Sequence, residues 1–200
     1  MSIVHSQADL GSLATGIGAI EKKWLDAEER RRHQQEVAGF WERLKAEVPE
    51  RVEKELAGAG WDRLRIYQDG LPGGGEMARR IVTEVAEKGS PNYQIVEGLL
   101  QRGARLEQTE DPALLREEYE LIRQVATASG PAEAGPAQQA YRRRSRALLE
   151  ERDRFIAKRI DESLKAGEVG LLFIGAYHRV VSYLPQDIEV IPVSWGAPLP

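Results

Sequence analysis

The stretch Val169-Gly170-Leu171-Leu172-Phe173-Ile174-Gly175-Ala176-Tyr177-His178 decides the fold. It carries no charge after Glu168, and it ends in a glycine followed, three residues on, by a histidine. A short apolar run bounded by glycine reads as a strand covered on both faces, the habit of parallel sheets. His178 then falls just past the strand's C-terminal end, where open α/β sheets place their ligand sites.

Working outward, the residues before this strand predict a long helix from about Ala137 to Lys165, closed by Gly167. Its apolar stripe is Leu148, Leu149, Phe155, Ile156, Ile160 and Leu164. Arg152 stands four residues from both Leu148 and Ile156 and so points with them, and Asp153 borders the same stripe. Charges there are costly unless paired or working on a ligand. An ion pair that only joins helix to sheet is the plainer reading of Arg152, and Glu118 on the preceding helix is a candidate partner. After the strand, Asp187-Ile188-Glu189-Val190-Ile191-Pro192-Val193 predicts a last strand, placed at an edge by Pro192. Residues 194–200 read as a tail.

Toward the N-terminus, Ser2-Ile3-Val4-His5 reads as the end of a short buried strand. A helix over Asp9 to Trp24 follows by its apolar spacing. A second helix from Asp26 carries the stripe His33, Val37, Phe40, Trp41, Leu44 and Val48. Pro49 ends or restarts it, and Val52 and Leu56 continue the stripe to Gly58 and Gly60, as one long helix or a helical pair. His33 there reads as a structural core histidine. Arg63 to Gly70 alternates charged and apolar residues into Asp69-Gly70, a strand ending in a turn. Leu71 to Gly75 is a loop. The next helix has Met77, Ile81, Val82 and Val85 inward and Gly89 as its stop. Ser90-Pro91 caps another helix, carrying Ile95, Val96, Leu99 and Leu100. Ala104 to Thr109 is a third short strand, and Asp111-Pro112 starts the helix of Leu114, Leu115, Glu118, Leu121, Ile122 and Val125. The Ala/Gly/Pro-rich segment 129–137 reads as an exposed loop or linker.

The alternation of strands and helices predicts an α/β protein: a mostly parallel central sheet of about five strands flanked by helices, in a Rossmann-like three-layer arrangement. At 200 residues the chain is expected to form a single domain over 1–200. With 42% hydrophobic and 30% charged residues and net charge −4, neither nucleic acid nor an acidic membrane surface is an expected partner. The chain has no cysteine, which removes disulfides, thiolate metal sites and a cysteine nucleophile. No stretch has the length and apolarity of a membrane span or a signal peptide, so a cytoplasmic location is expected.

The chemistry gathers at strand ends. His5, Asp69, Glu107 or Glu110, and His178 each follow a predicted strand, and in a parallel sheet those ends converge. Two histidines and two carboxylates suit a divalent metal with nitrogen and oxygen ligands, or general acid–base work. Polar strand ends are equally what turns require. Gly73-Gly74-Gly75 lacks a Walker lysine and a dinucleotide fingerprint, and reads as a flexible loop. Arg142 to Arg146 is interleaved with acids nearby and reads as a solvated helix face. Ser6 and Ser12 lack a nucleophile elbow.

The helix with Arg152-Asp153 and the strand ending Gly175-Ala176-Tyr177-His178 resemble the TraB/Tiki and ChaN-like (erythromycin-esterase-like) superfamily. The resemblance is carried mainly by residues 150–178. Members have an Arg-Asp or Arg-Asn helix, then a hydrophobic strand ending in Gly-x-x-His. They also have a first strand ending in His, weakly matched by residues 2–5 with Ser2 where a glycine is expected. Their internal acidic motif looks like Leu106-Glu107 or Glu110. The resemblance implies an α/β fold with the two histidines facing each other across the sheet's C-terminal edge, in a family of metal-dependent proteases, esterase-like enzymes and haem-binding proteins.

The leading expectation is therefore a metal-dependent hydrolase. His5, His178 and a carboxylate (Glu110 or Glu107, with Asp69 beside them) would bind a divalent ion, and the substrate would be a small molecule or peptide. Arg152 would stabilise developing negative charge and Asp153 would orient a histidine. The alternative is a non-catalytic small-ligand or haem-binding protein using the same crevice. A third reading makes the long helices around 26–57 and 137–165 a homo-oligomer interface.

Overall fold

The computed structural model describes residues 2–3, 27–175 and 177–192. Its elements run β1 (Ser2–Ile3), α1 (Ala27–Leu56), β2 (Leu64–Gln68), α2 (Gly75–Glu87), α3 (Pro91–Gln101), β3 (Arg105–Glu107), α4 (Pro112–Thr127), α5 (Pro131–Ser163) and β4 (Val169–Gly175). Short 3-10 turns precede β2 at Trp61–Arg63 and follow β4 at Val180–Tyr183. Three substantial strands form a parallel sheet, and the two-residue β1 extends it in the order β1-β4-β2-β3. Among the described residues, no helix is long and apolar enough to cross a membrane.

The decisive strand sits inside the sheet. β4 pairs with β2 from Leu64↔Val169 to Gln68↔Phe173, and with β1 at Ser2↔Ile174 and Ile3↔Gly175. Alternation along the strands then sorts the residues between two cores. Leu64, Ile66, Leu106 and Phe173 pack with Trp41, Leu44, Val48 and Val52 of α1 and with Val82 and Val96 of α2 and α3. On the other face, Tyr67 and Ile174 meet Ile156, Ala157 and Ile160 of α5. Residues of odd number in β2 thus face α5, and Asp69 is the next in that series.

Caps follow the sequence. The Ser90 side chain accepts from Tyr93 N–H ahead of Pro91, and Asp111 Oδ1 accepts from Ala113 N–H at 2.7 Å ahead of Pro112. α1 runs unbroken through Pro49, so the stripe from Trp41 to Leu56 belongs to one helix.

Three expectations are corrected. The sheet does not reach five strands among the described residues: 187–192 is irregular, with Val190 and Ile191 exposed and no neighbouring strand to pair with. Segment 129–137 is exposed but mostly helical, because α5 starts at Pro131, a residue suited to a first helical turn, after Gly130 at φ 103°. Met77 is exposed; α2 buries Ala78, Val82 and Ala86, and Ile81 and Val85 pack partly buried against the same core as expected. The predicted helix over Asp9 to Trp24 and the tail 194–200 lie outside the described residues.

Candidate functional site

The C-terminal edge of the sheet, on its α5 side, holds a buried polar cluster. Asp69 extends the β2 ladder by one bond, its N–H donating to Phe173 O at 2.9 Å, so its side chain keeps the α5-facing direction. Glu110 arrives from the turn after β3. That turn is tied to the one after β2: Leu71 O accepts from Thr109 N–H at 3.2 Å and Glu110 N–H at 3.1 Å, and the Thr109 hydroxyl donates to Gln68 O. Arg152 comes from α5, where Leu148, Arg152, Ile156 and Ile160, spaced four apart, form the buried face.

Arg152 is the hub. Its Nε and Nη2 donate to Glu110 Oε2 and Oε1 at 3.1 and 2.6 Å, Nη2 also to Asp69 Oδ1 at 2.9 Å, and Nη1 to Glu118 Oε2 at 2.6 Å. Those four bonds occupy all but one of its N–H donors. The guanidinium therefore joins β2, the turn after β3, α4 and α5. This is the helix-to-sheet ion pair that the stripe position of Arg152 allowed, with Glu118 as the anticipated partner.

Beside the hub, His178 is held by Asp153. Nδ1 of the ring lies 2.5 Å from Asp153 Oδ1, and the other oxygen, Oδ2, accepts from Arg179 N–H at 2.8 Å. His178 N–H donates to Gly175 O at 3.1 Å, closing the turn that aims the ring. Nε2 points toward Asp69 Oδ2 across 3.7 Å. That oxygen also accepts from Gly175 N–H at 3.0 Å, so Asp69 is shared between Arg152, Gly175 and the histidine.

The charges are uneven. Asp69, Glu110, Glu118 and Asp153 converge on one arginine and one histidine. Burial pushes the Asp69 carboxyl up, but the His178 ring and the Arg152 guanidinium together hold it below its usual value. Glu110 goes the other way: burial, helped by the Asp69 charge, raises it to about 7 against the pull of Arg152. Two carboxylates on one guanidinium do not ionise alike. Glu110 is the member that holds a proton near neutrality, and Asp69 is the carboxylate.

Asp69, Glu110, Arg152, Asp153 and His178 are thus brought together. Glu107 is not. In register with Tyr67 it stops short of the edge, and Arg65 takes it at 2.5 Å while also gripping both oxygens of Glu168 at 2.8 Å. His5 lies outside the described residues, two positions after Ile3, which pairs with Gly175 at this same edge. Among the described residues no three His, Asp or Glu side chains are grouped to hold a metal ion. Sequence reasoning missed Thr109 and Gln68, both buried, because a turn threonine and a strand glutamine carry no periodic signal. No protein-family model, curated protein or solved structure matches this chain.

Proposed function

We propose that this edge of the sheet is the active site of a hydrolase, with His178 as its working group. One observation carries the reading: Nδ1 of His178 is spent on Asp153 at 2.5 Å while Nε2 faces Asp69 Oδ2 at 3.7 Å. That gap is too long for a hydrogen bond. It suits two donors that share a third body, a water or a divalent ion. Two donors about 2.1 Å from one centre stand roughly 3.4–3.6 Å apart at tetrahedral to trigonal angles, close to the spacing found.

An ion there would be held by His178 Nε2 and Asp69, with His5 as the third donor. When bound, it lowers the pKa of a water and polarises a carbonyl or phosphoryl oxygen. The chain's own residues supply the rest. Asp153 fixes the ring and its tautomer. Asp69, kept ionised, faces the histidine nitrogen. Glu110 holds a proton beside it, and Arg152 positions both carboxylates. The same arrangement is what kinship with the TraB/Tiki and ChaN-like superfamily would favour.

The test measures metal content by elemental analysis, and hydrolysis of a panel of carboxylic and phosphoric esters, for the full chain and for His178→Ala and Asp69→Asn. The reading expects metal uptake to be lost in both variants and hydrolysis to fall by about 10²-fold or more. Metal content and turnover unchanged in both variants would overturn it.

A further inference from the structure

The three carboxylates on Arg152 are not held alike. Asp69 and Glu110 are fixed by the sheet and its turns, with side chains 7% and 0% exposed. Glu118 is 29% exposed and is delivered by α4. None of the residues of α4 is buried, and the helix packs chiefly on α5. Its ends are turns, at Asp111-Pro112 and at Ser129-Gly130, where Gly130 takes φ 103°. Helices held by so little buried surface belong to the low-stability end of a fold. Arg152 Nη1 meets the carboxylate of this helix at 2.6 Å, with good charge-assisted geometry.

We propose that Glu118 occupies an anion seat on Arg152, that a ligand carrying a carboxylate or phosphate group displaces it, and that α4 loosens when it does. Glu118 itself shows that Nη1 donates to an oxyanion while Asp69 and Glu110 remain in place. The contact is autoinhibitory in form: the chain's own carboxylate covers the outermost donor of the hub. The inference does not depend on hydrolysis, because the seat and the histidine nitrogen are different atoms on opposite sides of Asp69.

Amide hydrogen exchange on the full chain tests it. Adding acetate or inorganic phosphate is expected to speed exchange over 112–127 while leaving 148–160 unchanged, with sodium chloride at equal ionic strength giving no such effect. Acetate alone acting identifies a carboxylate ligand, and phosphate alone identifies a phosphoryl one. In Glu118→Gln, exchange over 112–127 is expected to be about tenfold faster without any anion, the loss expected for a hydrogen bond to a charged partner. Glu117→Gln loses a more exposed pair to Arg144 of α5 and is expected to speed exchange over 112–127 less than Glu118→Gln does. The proposal is overturned if neither anion exceeds sodium chloride on the wild-type chain, a result that needs no variant to fold. It is also overturned if Glu117→Gln matches Glu118→Gln.

Discussion

Arg152 and Asp69 meet Nη2 to Oδ1 at 2.9 Å, and this bond fastens the middle of α5 to the end of β2. Both side chains are buried, and Glu110, more buried still, completes the group. Removing the cation alone would leave the buried Asp69 carboxylate without its charge partner and the buried Glu110 oxygens without their donors. Arg152→Met is therefore expected to cost about 3–5 kcal/mol in urea unfolding, and Arg152→Lys to recover only part of that, since an ammonium cannot reproduce the fork. A loss within the range of an exposed ion pair would contradict the hub.

The raised pKa of Glu110 gives stability a definite pH dependence. Its ordinary value is 4.5 and its folded value about 7. Between those values the folded chain holds a proton that the unfolded chain releases, so the contribution is fully present below about 4.5 and lost as pH rises through about 7. Asp69 acts in the opposite sense: its lowered pKa gives a contribution lost only as pH falls through that lowered value. Comparing unfolding free energies of wild type and Glu110→Gln from pH 4.5 to 7.5 isolates the first effect. The wild type is expected to lose stability relative to the variant as pH rises, and a constant difference would exclude it.

Glu107 provides a control. It pairs with Arg65 away from the crevice, so Glu107→Ala is expected to leave metal content and hydrolysis at wild-type levels. Thermal unfolding is expected to show a modest loss, about 1 kcal/mol, from a half-buried pair. Lost metal in this variant would return Glu107 to the site.

Much of this was legible in the sequence because single positions carried strong physics. The apolar run over 169–175, short and bounded by glycine, read as a covered strand, and Arg152-Asp153 in an apolar stripe required partners. Ser90-Pro91 and Asp111-Pro112 fixed two helix starts. What failed had competing physics. Gly, Ala and Pro in 129–137 signal a loop, yet proline suits a first helical turn and alanine favours helix. Residues 187–193 have strand composition, but pairing depends on a neighbour that sequence cannot supply. Glu107 and Glu110 were indistinguishable by type or order; the register Tyr67↔Glu107 separated them.

Thr109 tests how the turns are tied. Its hydroxyl donates to Gln68 O and reaches Leu71 O at 3.3 Å, both inside the structure. Thr109→Val keeps the shape and removes the hydroxyl donor to the buried Gln68 O, while Leu71 O keeps its two backbone N–H partners. The expected loss is about 1–3 kcal/mol in urea unfolding, with a displaced Glu110 seen as a weaker pH slope. A neutral substitution would mean the backbone bonds to Leu71 suffice.

The central claim is that Asp153 holds His178 so that Nε2 stands open toward Asp69. The most direct measurement is the imidazole ¹⁵N spectrum of the neutral His178 ring, in wild type and in Asp153→Asn. A proton on Nδ1 and a bare Nε2 are predicted for the wild type, with that preference weakened in the variant. A proton resident on Nε2 in the wild type, or a spectrum indifferent to Asp153→Asn, would contradict it.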